Sequence, residues 1–193
     1  HGSNNLTLIG SPTWAQGKRS YALQLDGATQ YGRKVAVASL VAGAMTLSAF
    51  VKLDVLKNYN CIAFHELNTV GGWWVYVDAS GNLGFAIDKG AGPVFSSVSK
   101  AGIAINTWYH VAAWYDGANL RVYIDGVASS DEPLVQALLT TGDLYVGAQD
   151  TPAHFLDGLV DDDWLFPVAL SITEIGRLRD FKYALTGFAK VAA

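Results

Sequence analysis

The feature that most limits what this 193-residue chain can fold into is the stretch HVAAWYDGANLRVYIDG at residues 110–126. Two alternating runs, YHVAAWYD and LRVYID, flank the turn GAN, and Asp125 and Gly126 supply the left-handed backbone that a following turn needs. A period of two sends successive side chains to opposite faces of a strand, so the stretch predicts a β-hairpin. The same period recurs elsewhere. In MTLSAFVKLD, Met45, Leu47, Ala49, Val51 and Leu53 fall on one side, and Thr46, Ser48, Phe50, Lys52 and Asp54 on the other. WWVYVD, the turn ASGN and LGFAID predict another hairpin, in which Trp73, Val75 and Val77 share a layer with Leu83, Phe85 and Ile87.

LTLIG, YALQLD, CIAFHE, DLYVGA and DDDWLFP add further strand candidates, separated by Gly, Asn and Asp at intervals typical of a sandwich. One helix is predicted, in ALSITEIGRLRDF, where Ser171 is the N-cap, Glu174 completes a capping box, and Ile175 and Leu178 follow at helical spacing. The C-terminal YALTGFAKVAA is apolar enough to dock as a strand and small enough to fray. Antiparallel strands of this kind must bury one face of each sheet against another. The expected fold class is therefore all-β: a two-sheet antiparallel jelly-roll sandwich with one short C-terminal helix.

With 51% hydrophobic residues, the chain can fill one sizeable core, so residues 4–193 are expected to form a single domain. His1, Gly2 and Ser3 read as a remnant of cloning or processing. The 13 Lys and Arg face 17 Asp and Glu with no block of either sign, which argues against a nucleic acid partner. HGSNN is not a signal region, and no apolar run approaches the roughly 18 residues of a membrane span. A soluble protein without membrane insertion is the expectation. The single cysteine, Cys61, cannot close an intrachain disulfide and reads as a small buried hydrophobe.

Three segments in order carry a family likeness. NTWYHVAAWYDGANLRVYIDG resembles the signature of the laminin G-like, concanavalin A-like superfamily; YALQLDGATQYGRKV is similar to its early Ala-Leu-x-Phe-Asp-Gly strand; and LDGLVDDDWLFPVALSITEI is similar to its closing strand and helix cap. The resemblance spans roughly residues 20–178. It implies a jelly roll of two curved sheets but no single function, because members serve as sugar-binding modules, adhesion domains, appendages of secreted enzymes and parts of virus or phage particles. It also implies an extracellular, particle or cell-surface setting. Within the hairpin, Trp108 and Val111 would anchor the core while Asp116, Gly117, Asp125 and Gly126 make turns. The sequence departs from matrix laminin G domains in lacking a C-terminal disulfide, in carrying DDD where Asp-Glu is usual, and in placing Trp164 where Arg commonly follows.

Catalysis is not expected. Glycoside hydrolysis needs two carboxylates about 5–9 Å apart, and Asp161 and Asp163 could share a strand face. The related hydrolases carry Glu-x-Asp-x-x-Glu, however, and Phe166 stands three residues after Asp163. His1, His65, His110 and His154 are too scattered to suggest a triad or metal cluster, and His110 reads as structural. The resemblance implies a structural Ca²⁺ where the first and last strands run side by side, with Asp26, Gly27, Asp157, Asp161 and Asp162 as ligands. A cation would also relieve repulsion within the acidic run; the alternative is that Asp26 simply shapes a turn and the DDD run is solvated.

Carbohydrate binding is the favoured function. Alternation turns Trp74 and Tyr76 away from Trp73, Val75 and Val77, and His110 and Trp114 away from Val111, Ala113 and Tyr115. If the two hairpins are neighbours, these four form one aromatic platform for sugar rings, with Asp78, Glu66 or Arg121 at its edge. A mean hydropathy of +0.22 supports the alternative of a structural or adhesion subunit, including a homo-oligomer, that uses apolar surface for protein contacts.

Overall fold

The computed structural model describes residues 5–35, 43–66, 69–90, 95–149 and 154–181. His1–Ser3 and the strand expected in YALTGFAKVAA lie outside the described residues.

The strands are β1 (Thr7–Ile9), β2 (Thr13–Gln16), β3 (Tyr21–Asp26), β4 (Tyr31–Lys34), β5 (Met45–Leu53), β6 (Tyr59–His65), β7 (Trp73–Asp78) and β8 (Asn82–Asp88). They continue as β9 (Phe95–Ala101), β10 (Tyr109–Tyr115), β11 (Asn119–Ile124), β12 (Val127–Ala128), β13 (Glu132–Pro133), β14 (Leu144–Val146) and β15 (Asp157–Phe166), followed by α1 (Ile172–Arg179). A seven-stranded sheet runs β1-β4-β14-β6-β7-β8-β9, and an eight-stranded sheet runs β12-β11-β10-β5-β15-β3-β2 with β13 beside β11. The described ladders are antiparallel, as the expected jelly-roll sandwich requires.

Alternation explains which residues meet between the layers. Leu47, Ala49, Val51 and Leu53 from β5, Val111, Ala113 and Tyr115 from β10, and Trp73, Val75 and Val77 from β7 join one buried cluster with Leu83, Phe85 and Ile87 from β8. Burying a side chain of this size stabilises by roughly 1.5–3 kcal/mol before entropic losses. The opening hairpin forms as expected, pairing Val111 with Ile124 and Tyr115 with Leu120. Its turn is tied by Asp116 Oδ1, which accepts the N–H groups of Ala118 at 2.8 Å and Asn119 at 2.7 Å. Asp125 and Gly126 take φ of 50° and 82°, the left-handed turn that the sequence predicts.

Strand β15 does not keep a simple alternation. Its register against β5 shifts between Asp161 and Trp164, where Asp162 has φ 47°, so one extra residue is inserted. Leu165 consequently returns to the core while Trp164 stays outside. Helix α1 begins with the predicted capping box, since Ser171 Oγ accepts the Glu174 N–H and the Glu174 carboxylate accepts the Ser171 N–H. Its Ile175 and Leu178 then cover the outer face of the eight-stranded sheet, against Ala112, Trp114, Tyr123 and Phe166. That leaves the two outer faces of the sandwich unequal: one lies under a helix, the other carries aromatic rings.

Candidate functional site

On β7, Trp73, Val75 and Val77 point inward, so Trp74 and Tyr76 stand on the outer face of the seven-stranded sheet. Tyr59 from β6 and His154, from the segment before β15, join them. The Trp74 ring centroid lies 4.3 Å from that of Tyr76, 4.9 Å from Tyr59 and 5.6 Å from His154, which it stacks at 30°. Tyr59 meets Tyr76 and His154 edge-on, each at 5.1 Å. These spacings are those at which aromatic rings support one another. Partial burial depresses the His154 pKa, which favours the neutral imidazole within the cluster.

One flank of the cluster is low. Trp74 lies opposite Ala86, which lies opposite Ser97, while Tyr76 lies opposite Gly84 and then Ser99. Gly84 is required by close approach, because a Cβ there would come within 2.4 Å of the Tyr76 ring. The result is an aromatic wall beside a floor of small side chains, with the exposed Ser97 and Ser99 beyond it. On the other flank Tyr145, Phe64 and Tyr31 continue the rings, and Arg33 lies 5.5 Å above Tyr145 while its Nε donates to Asp143 at 2.8 Å. Among the described residues, the buried Trp74 Nε1 and, further along this face, Asp88 Oδ2 have no hydrogen-bond partner.

The expected single platform does not form. Trp74 and Tyr76 sit in the seven-stranded sheet, whereas His110 and Trp114 sit on β10 in the eight-stranded one, so the pairs face away from each other across the core. His110 is 1% exposed and its Nε2 lies 2.9 Å from Ser48 Oγ, and Trp114 is 8% exposed beneath the segment leading to α1. Trp114 Nε1 donates to the Leu170 carbonyl at 2.9 Å. Arg121 stays with Trp114, 4.6 Å above its ring and ion-paired to Asp131. The other edge residues are also engaged: Asp78 accepts from Ser80 and Asn82, and Glu66 Oε1 accepts the Asp143 N–H at 3.2 Å.

The ligand set expected for calcium is likewise divided. Asp26 and Asp157 lie opposite each other where β3 meets β15, but Asp161 is four residues further along, about 13 Å on an extended strand. Asp26 Oδ1 accepts the N–H groups of Ala28, Thr29 and Gln30, and Oδ2 accepts the Thr29 hydroxyl. Burial alone would raise its pKa, yet these bonds together hold it at about 2. Asp26 is therefore a turn former. Asp161 accepts the Arg19 N–H at 3.0 Å and Asp162 pairs with the Arg19 guanidinium at 3.2 Å, so an arginine relieves the repulsion for which a cation was expected. Between Gly27 and Asp157 stands the Lys57 ammonium, 2.6 Å from the Gly27 carbonyl and 3.1 Å from Asp157 Oδ2. Among the described residues no three His, Cys, Asp or Glu side chains gather as a metal site would need, and these five do not fit one ion.

Sequence reasoning overlooked Tyr59 and His154. A bulge between Cys61 and Ala63 hides Tyr59 from a simple alternation, and nothing local marks a histidine in a connecting segment as the neighbour of β7. Cys61 is buried as expected, its thiol donating to the Ala148 carbonyl at 3.2 Å.

Two antiparallel sheets packed around one core, with the capped helix over the outer face of the larger one, define a jelly-roll sandwich. The chain belongs to the concanavalin A-like lectin/glucanases superfamily, whose Laminin_G_3 model matches residues 25–176. No curated protein sequence matches it. Among solved structures it is similar to domain 4 of AbnA, an extracellular arabinanase from Geobacillus stearothermophilus solved with arabinotriose, with TM-score 0.71 and 21% identity over 88% of this chain and 82% of that one. It is also similar to the binding domain of botulinum neurotoxin serotype G, with TM-score 0.70 and 13% identity over 92% of this chain and 46% of that one. A third is the NanB sialidase from Streptococcus pneumoniae, with TM-score 0.65 and 14% identity over 80% of this chain and 27% of that one. The chain thus spans less than half of the latter two, and at these identities the likeness is one of fold.

Proposed function

We propose that this domain is a non-catalytic recognition module that binds carbohydrate on the outer face of the seven-stranded sheet, through Trp74, Tyr76, Tyr59 and His154. The observation that carries this reading is the wall of packed rings beside the floor of Gly84, Ala86, Ser97 and Ser99. Sugar rings present apolar C–H faces that stack on such walls, and serine hydroxyls at the margin can exchange hydrogen bonds with sugar hydroxyls. Rings already held by one another lose little freedom on binding. A structure of similar fold holds an arabinotriose, which favours a glycan over other ligands. A non-catalytic role is favoured because the bulge in β15 separates Asp161 from Asp163 and because Asp161 is 6% exposed and already bonded to Arg19. An extracellular or particle-surface setting fits such a ligand.

A glycan-array screen should yield a reproducible hit, and Trp74→Ala should then weaken binding of that sugar at least about ten-fold, or about 1.4 kcal/mol, in protein that still unfolds cooperatively. Binding equal to wild type would remove Trp74 from the site and sink the proposal.

A second reading rests on a different surface. Among the described residues β2 is an edge strand, and Trp14 upon it and Tyr21 on the adjoining β3 are 49% and 71% exposed. Tyr21 alternates with the buried Leu23 and Leu25, and Trp14 lies opposite Leu23, so both rings belong to the core side of the sheet at its margin. Such a margin suits a protein contact, as in a structural or adhesion subunit. Sedimentation equilibrium should then show concentration-dependent association that Trp14→Ser abolishes, and a strict monomer at high concentration would reject self-association through this edge.

A further inference from the structure

We infer that the Lys57 side chain is a built-in cation: its ammonium holds the junction of the first and last long strands, so the fold is stable without a divalent ion there. β3 ends at Asp26, opposite Asp157 at the start of β15, and the chain turns away through Gly27. Two oxygens face each other across this corner, the Gly27 carbonyl and Asp157 Oδ2, and Lys57 Nζ bridges them at 2.6 and 3.1 Å.

The surroundings are shaped for that bridge. Gly27 has φ +67°, and a Cβ on it would stand 2.0 Å from Lys57 Nζ and 2.6 Å from Asp157 Oδ2, so the cradle exists only with glycine. Asp157 is positioned through its backbone, where its N–H donates to Asn60 Oδ1 at 3.2 Å and its carbonyl accepts the Asp54 N–H at 2.9 Å. Asn60 is itself tied to the Val55 carbonyl at 3.1 Å, so the loop that carries Lys57 is anchored on either side of it. The Asp26 carboxylate is spent on its own turn. Ca²⁺ would require about six to eight oxygens, whereas the corner directs two at one point, a demand that the three donors of an ammonium meet. The lysine side chain is 30% exposed and that of Asp157 25%, so the pair is partly withdrawn from water.

The test is a thermal melt of the whole domain with Ca²⁺ and with chelator, on wild type, Lys57→Met, Asp157→Asn and the double variant. Wild type should melt at the same temperature in both solutions, and a higher value with Ca²⁺ overturns the inference. Lys57→Met should lower the melting temperature by about 2–6 °C. The double variant should fall by less than the sum of the single ones, because the two groups act on each other. Additive losses, or an unchanged Lys57→Met, would reduce Lys57 to a surface residue. If Lys57→Met fails to fold, the wild-type comparison still decides. The calcium series is read on stability alone, so a domain that binds no sugar would leave this inference standing or falling by itself.

Discussion

Trp114→Ala is expected to destabilise the domain by about 3–5 kcal/mol, as deletion of a large buried aromatic does. The indole is 8% exposed, it packs with Leu170, Ile175 and Leu178, and its N–H fixes the Leu170 carbonyl at 2.9 Å. Thr46 holds the same segment, its hydroxyl donating to Val168 O and accepting the Leu170 N–H, both at 2.9 Å. Removing the ring would leave a cavity beneath α1 and strip Arg121 of the face it lies against, 4.6 Å from the centroid. Trp114→Phe keeps most of the packing and loses the hydrogen bond, so it should cost about 1–2 kcal/mol. Urea unfolding measures both. A loss below about 1 kcal/mol for the alanine variant would mean that α1 is not docked as described. Whatever sugar the wild type binds should still be bound by the folded fraction, since Trp114 and Trp74 occupy opposite faces.

The second large effect is acid destabilisation. His65 is fully buried against Trp73, and burial depresses its pKa to about 4, with Asp143 working weakly the other way. His110 is also held at about 4 by burial, helped by Arg179 and opposed by Asp180. In the unfolded chain both titrate near the ordinary 6.5. Above that value both states are neutral and the full stability is present. As the pH falls below it the unfolded state takes up protons that the folded state refuses, so stability is lost down to about pH 4 and then levels off with respect to these groups. At about pH 4.5 each histidine should have cost about 2–3 kcal/mol, together a large part of an ordinary domain's 5–15 kcal/mol. Asp26, held at about 2 by its turn, extends the decline at still lower pH as its carboxylate is protonated. Urea midpoints measured between neutral pH and about pH 4 should show this slope, and His110→Gln should roughly halve it. A flat profile would mean that neither ring is buried neutral.

Local chemistry made much of the fold readable. Alternation identified the inward residues of β5, β7, β8 and β10, the Asp-Gly pair marked the turn after β11, and Ser171 with Glu174 announced α1. The candidate site was readable only in part. That Trp74 and Tyr76 face outward follows from the pleat, but their companions do not. Tyr59 arrives through a bulged strand and His154 from a distant segment, while His110 and Trp114 share the same outward phase and yet lie on the other side of the molecule. The DDD run illustrates the same limit, because its relief comes from Arg19, more than a hundred residues earlier in the chain.

The sequence by itself determined the long alternating strands β5, β7, β8, β10 and β11, the turns of their hairpins and the helix cap, because each depends on residues a few positions apart; β2, β4, β9, β12 and β13 carried no such local signal, and the bulges of β6 and β15 broke the alternation. Only the tertiary structure decided which hairpin joined which sheet, which aromatic face α1 would cover, and that Lys57 would reach Gly27 and Asp157. The pleat constrains where a side chain points relative to its own strand; what it meets there depends on pairings between segments that the chain brings together only when the whole core closes.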